Sequence, residues 1–178
     1  LATVNNSGIT VFDLYKKEHI FTSYNFSDIF GYDLNKINEQ ATDYFNSRVH
    51  PDDFLSLTRN GILIIKSLYT IPVNERINYK FVNEYRIIGN TGDYIRVIEQ
   101  HQALEVDRRG NIWLALGIID ISPDQTIFNG VKSQVINFKS GEFFSVNFEI
   151  SDKTLSKREI EVLGLIKSGL LSKEISEK

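Results

Sequence analysis

Cysteine and methionine are both absent from the 178 residues, tryptophan occurs once and proline only three times. Without cysteine there can be no disulfide, thiolate metal site or cysteine nucleophile, and a reducing compartment suits the chain. The same absence excludes flavin photochemistry that works through a protein thiol. With no methionine, initiator included, the sequence is expected to be a processed fragment, or one from which methionine-type positions have dropped out, leaving some spacings one residue short. Long apolar runs are also missing. The strongest, Ile62-Leu63-Ile64-Ile65, falls well below the roughly 18 residues that a membrane helix requires. Leu1-Ala2-Thr3 opens no secretory signal, so a cytoplasmic location is expected. Gly-rich phosphate loops, G-x-S-x-G elbows and H-E-x-x-H pairs are lacking, and no nucleophile, base and orienting group stand together. An enzyme is not expected.

What is present suits a globular chain: 42% of residues are hydrophobic and 24% charged. The net charge of -3 divides into -4 over residues 1–150 and +1 over 151–178, too small a contrast to mark a nucleic-acid surface.

The three prolines punctuate the pattern. Before Pro51, Ile9 to Leu14 and His19 to Tyr24 are β-branched and aromatic runs joined by Tyr15-Lys16-Lys17-Glu18, which predicts a hairpin. Short helical turns follow between Ser27 and Val49. From Pro51 to Tyr69 the period is helical, with Phe54, Leu57, Gly61, Ile65 and Leu68 on one face. Tyr79–Ile88, Tyr94–Val106 and Ile112–Ile121 read as strands separated by Gly89-Asn90-Thr91-Gly92 and Asp107-Arg108-Arg109-Gly110-Asn111. These turn residues predict antiparallel pairing. The order predicts an α+β domain, helices over one face of an antiparallel sheet. After Pro123, Val135 to Phe138, the turn Lys139-Ser140-Gly141-Glu142 and Phe143 to Phe148 predict a second hairpin that packs on the sheet or bridges two chains.

The last 24 residues carry a strong local signal. Ser156-Lys157-Arg158-Glu159 forms a capping box, with Leu155 and Ile160 at the hydrophobic-staple positions. Gly169 stands where a left-handed C-terminal cap belongs, and Ser172 begins a second helix at Lys173-Glu174-Ile175. Helix, tight turn and helix are expected, the second helix incomplete at Lys178.

His50, Asp52 and Asp53 invite a metal or acid–base reading. With no second histidine nearby, their spacing favours a structural role in the first turn of a helix, where carboxylates stabilise the dipole and bond amides. His19 and His101 fall in predicted strands, away from any ligand pattern, so no metal site is expected and haem is not indicated. Phe12, Phe21, Phe54, Tyr85 and Trp113 are core candidates, some of which line any cavity between sheet and helices. Cofactor and pocket residues remain unknown from sequence.

Two resemblances join these observations. Phe30-Gly31-Tyr32, Val49-His50-Pro51-Asp52-Asp53, Glu84-Tyr85-Arg86-Ile87, Asp107-Arg108-Arg109-Gly110-Asn111 and Gly117-Ile118-Ile119-Asp120-Ile121-Ser122 resemble, in order and spacing, a PAS sensor domain. Arg96 stands where many relatives carry Trp. Leu155-Ser156-x-Arg158-Glu159-x-Glu161-Val162-Leu163-x-Leu165-Ile166-x-x-Gly169 is similar to the opening of a LuxR-type helix-turn-helix. The resemblances imply a PAS-like five-stranded antiparallel sheet over 1–123, a β-hairpin extension over 124–150, a linker at 151–154 and the start of a helix-turn-helix over 155–178. They imply a homodimeric transcription regulator that binds DNA through its complete C-terminal domain and senses a small-molecule ligand or a partner. Asp120, Ile121 and Ser122 would form the signal-output segment. Lys157, Arg158 and Lys173 would face DNA phosphates, while base readout would need a recognition helix beyond Lys178. The alternative is a constitutive dimerisation module that binds no small molecule. Phe143-Phe144 and Val146 are the expected contributors to a contact between chains.

Overall fold

The turn between the first two strands is built by one carboxylate. Strand β1 (Gly8–Asp13) pairs antiparallel with β2 (Glu18–Thr22). Asp13 accepts the amides of Tyr15 at 2.9 Å and Lys16 at 3.0 Å, and Lys17 takes a left-handed φ of 59°. These bonds, with one from Trp113 Nε1 at 3.2 Å, hold the Asp13 carboxyl below its ordinary range. The computed structural model describes residues 6–40, 42–126 and 130–145. The expected linker and helix-turn-helix, with Lys157, Arg158 and Lys173, and also Val146, lie outside the described residues.

Strands β3 (Tyr79–Ile88), β4 (Tyr94–Val106) and β5 (Ile112–Ile121) have the boundaries predicted from the runs between the turn segments. At the β4–β5 turn, Asp107 accepts the amides of Arg109 at 2.8 Å and Asn111 at 2.7 Å. Gly110 has φ +77°, and a Cβ there would run into the Val73 side chain. Tyr15 donates its hydroxyl to Asp107 at 2.6 Å, tying the two turns together. That bond, then those from Asn111, hold the Asp107 carboxyl well below the usual carboxylate range.

All strand pairs are antiparallel, in the order β2-β1-β5-β4-β3. This is the expected five-stranded sheet. The later hairpin, β6 (Lys132–Asn137) and β7 (Phe143–Ser145), adds to the free edge of β3 and extends the sheet to seven strands. β6 starts three residues before the predicted run. Helices α1 (Asn25–Asp28), α2 (Leu34–Gln40) and α3 (Thr42–Arg48) place Phe26, Ile37 and Tyr44 against Tyr85, Ile87, Val97 and Ile119. Each such side chain, once buried, contributes about 1.5–3 kcal/mol of transfer free energy.

Helix α4 (Pro51–Thr70) is the long connector expected from periodicity. Pro51 occupies its first turn, where a missing N–H costs nothing. His50 is the N-cap, its Nδ1 accepting the Asp52 amide at 3.2 Å. Asp53 does not serve its own helix, as the sequence suggested. It is fully buried and accepts the backbone amide of Arg86 at 3.0 Å, Arg86 Nε at 2.9 Å and Nη2 at 2.7 Å. The reason is topological: β6 pairs with β3 only as far as Glu84, leaving the Arg86 amide for another acceptor. The predicted apolar face of α4 is also turned from the deepest contacts. Asp53, Asn60 and Ile64 are buried, whereas Phe54 and Ile65 are exposed at the margin of a cavity. At the far end, Arg76 donates to the carbonyls of Ile71 (3.0 Å), Gly110 (2.7 Å) and Tyr69 (3.1 Å), occupying acceptors near the negative end of the helix. Among the described residues, no helix is long and apolar enough to cross a membrane.

Candidate functional site: a cavity between the sheet and helix α4

Alternation along the strands turns Phe81, Asn83 and Tyr85 of β3, and Glu99 and His101 of β4, toward α4. From the other side, α4 contributes Leu57, Gly61, Ile64 and Leu68. Between them lies a cavity of about 410 Å³, within the size range of small-molecule sites. Its walls are mostly apolar and aromatic. Its volume corresponds to roughly a dozen waters at liquid density.

One polar cluster lies on the sheet side. Tyr85 donates its hydroxyl to Glu99 Oε2 at 2.9 Å, and His101 Nε2 lies 3.4 Å from Glu99 Oε1. Burial, then the Glu99 charge, pushes the Tyr85 phenol well above its ordinary range. Burial also raises Tyr32, with Glu99 adding to it, so both phenols remain protonated donors. His19 reaches the cavity from β2, stacked on Phe45 with ring centroids 4.2 Å apart and edge-on to Phe12 at 5.0 Å. Burial, reinforced by His101, lowers its pKa to about 4, so the imidazole is neutral at pH 7. His19 Nδ1 and Thr42 Oγ1 are buried without a hydrogen-bond partner among the described residues. Gly117 supplies clearance: a Cβ at this position would lie 2.5 Å from Thr10 Oγ1 and 3.3 Å from His101 Nε2.

The cavity has a wall outside the sensor boundary read from sequence. Val135 of β6 lines it, and Ser133 connects it to α4. Asn60 Nδ2 donates to Ser133 Oγ at 2.8 Å, and Ser133 Oγ donates to Asn83 Oδ1 at 2.7 Å. All three residues are buried.

Of the aromatic candidates, Phe12, Phe54 and Tyr85 line the cavity, whereas Phe21 and Trp113 are exposed, and the other sequence-derived candidates fall elsewhere. His50 caps α4 through the Asp52 amide, Asp53 is bonded to Arg86 of β3, and among the described residues no cluster of three or more potential metal ligands occurs. The proposed output segment is anchored at the end of β5. Ser7 donates to Asp120, Ile121 is exposed, and Ser122 donates to Glu84 at 3.0 Å. Glu84 also meets Arg96 at 3.1 Å and Lys132 at 3.3 Å. Arg96 therefore lies outside the cavity lining. It is buried beneath the segment after β5, where Gln125 accepts its amide at 3.0 Å. Sequence reasoning missed His19 and His101 as cavity residues. They are 82 positions apart, and only strand register brings them onto one face.

Residues 19–119 match the family described as PAS fold. No curated protein matches the sequence significantly. Among solved structures, the chain is similar to the N-terminal domain of a diguanylate cyclase with PAS/PAC sensor from Marinobacter aquaeolei. The identity is 11%, with 65% of this chain and 94% of that one covered and a TM-score of 0.49. It is also similar to a sensory box histidine kinase/response regulator from Burkholderia thailandensis E264, at 19% identity, with 65% and 76% covered and a TM-score of 0.41.

Proposed function

The chain belongs to the PAS fold family, and from that membership we propose that it is the sensory part of a cytoplasmic transcription regulator that acts by binding rather than by catalysis. A small molecule occupies the cavity between the sheet and α4 and controls a C-terminal LuxR-type helix-turn-helix. The observation that carries the sensory half is the cavity itself: apolar walls around a Tyr85–Glu99–His101 cluster, with two buried polar atoms unpartnered among the described residues. The output half rests on the capping box at Ser156–Glu159, the apolar positions that follow it and the Gly169 cap.

In mechanism, the ligand binds one arrangement of α4 and β6 more tightly than another and shifts the population toward it. Two routes lead toward the C-terminal residues. One runs through Asp120, Ile121 and Ser122 to Glu84 and Lys132. The other runs from the cavity wall through Asn60 and Ser133 into β6. Both reach the hairpin. The regulator acts as a homodimer, because two-fold DNA readers place two chains on repeated half-sites.

The test is extraction of the purified protein with denaturant, followed by mass spectrometry. A co-purifying small molecule at near-stoichiometric amount is expected. Its absence, with dimerisation and promoter binding by the complete regulator unaffected by metabolite extracts, would point instead to a constitutive dimerisation module. For the output half, promoter-region DNA is titrated with a chain carrying a complete helix-turn-helix. Failure to bind selectively at any salt concentration would leave only the sensor standing.

A further inference from the structure

The charged groups of the cavity differ in how they are engaged. Glu99 supplies a carboxylate, with Oε2 already accepting from Tyr85 and Oε1 facing His101 at 3.4 Å. The two strongly basic residues lining the cavity are both engaged. Arg76 donates from all three guanidinium nitrogens to carbonyls, and Lys80 Nζ donates to Gln100 at 3.0 Å. His19 presents a neutral ring, and its unpartnered Nδ1 and the Thr42 hydroxyl are both buried. A ligand with a carboxylate or phosphate would therefore bring a second negative charge beside Glu99, while Arg76 is held by three carbonyls and Lys80 by Gln100. A donor meets the opposite situation, because the Glu99 carboxylate, 3.4 Å from His101 Nε2 and bonded by Tyr85, has further lone pairs to accept with. The walls determine the rest of the molecule. Phe12, Phe45, Phe81, Leu57, Ile64 and Val135 enclose a space suited to stacked rings.

Building on the ligand-sensor reading above, we propose that the cavity selects an apolar ring molecule whose polar end donates a hydrogen bond and carries no negative charge, with Glu99 as the selecting residue. The polar end lies on the β4 side and the ring lies toward α4 and Val135.

Calorimetric titration of the full chain with four probes sharing one ring tests this: indole, 1-methylindole, tryptamine and indole-3-acetate. Indole and tryptamine are expected to bind at least about tenfold more tightly than indole-3-acetate, and 1-methylindole more weakly than indole because its donor is blocked. Glu99→Gln should reduce the gap between tryptamine and indole-3-acetate by at least about fivefold. Indole-3-acetate binding as tightly as indole, or 1-methylindole binding as tightly as indole, would overturn the selection while leaving the cavity a ligand site. No binding by any probe at millimolar concentration would overturn the selection, while the extraction above, which does not depend on these probes, decides the ligand-sensor reading separately. The ranking on the unmodified chain is decisive even where Glu99→Gln folds poorly.

Discussion

Asp53→Asn is the substitution whose cost follows most directly from the geometry. The carboxylate is fully buried and accepts three bonds from Arg86, two of them from the guanidinium and one from the backbone. The amide that replaces it keeps one acceptor oxygen and presents two N–H groups to a cation. Removing one partner from a buried ion pair costs about 3–5 kcal/mol, mostly because the remaining charge stays buried and uncompensated. The Arg86 side chain retains 16% exposure, so water relieves part of that cost and the lower end, about 3 kcal/mol, applies. For a chain of this length, about 2–4 °C per kcal/mol converts this into a melting point lower by about 6–12 °C. The assay is thermal unfolding followed by circular dichroism, with urea titration as a second measure. The control is Asp52→Asn one residue away, where the side chain is 79% exposed and a change within about 0.5 kcal/mol is expected. Replacing both partners with Asp53→Leu and Arg86→Met should recover part of the loss. If Asp53→Asn and Asp52→Asn melt together, the account of this corner is wrong.

Other outcomes can be checked separately. His19 is held neutral in the fold, with a pKa of about 4 against an ordinary 6.5, so the unfolded chain takes up a proton that the folded chain refuses. Its contribution is absent above pH 6.5 and lowers stability as pH falls from 6.5 toward 4; urea titrations across that window should show a shallower decline for His19→Phe than for the unmodified protein. Gly110→Ala places a side chain at φ +77° and against Val73, and should cost more than about 1 kcal/mol in the same titration. An unchanged midpoint would refute that assignment. Phe143 is 66% exposed on β7, at one edge of the sheet, and Phe143→Asp should weaken self-association in sedimentation at tens of micromolar, a range in which a micromolar dimer is mostly assembled. A chain that is monomeric before the substitution would refute the proposed contact.

The three long strands were legible because well-marked turns separate them: Asp107 and Gly110 bracket a turn whose chemistry is local, whereas alternation along β4 is too mixed to show which face points inward. Helix α4 was legible from its period and from Pro51, yet its orientation was not. Its deepest positions include Asp53 and Asn60, polar residues buried by partners from distant strands. A pattern that counts apolar positions passes over such residues. The cavity was hidden for a related reason. His19, Glu99 and His101 meet through strand register, and the bulges between β1 and β2 and within the β4–β5 pairing displace side chains from simple alternation. The hairpin was legible as a hairpin, but its attachment to β3 was not, because two unpaired edges satisfy a strand equally well until the Ser133–Asn83 contact is known.

The Asn60–Ser133–Asn83 chain contains no group that ionises in the physiological range. Its strength is therefore nearly indifferent to salt and to proton concentration, unlike the charged cluster around Glu84. Displacing α4 away from β6 would strand buried amide and hydroxyl groups without partners, a penalty of about 1–3 kcal/mol for each. Helix and strand therefore have reason to move together, and this linkage should persist across changes in ionic strength that weaken exposed ion pairs.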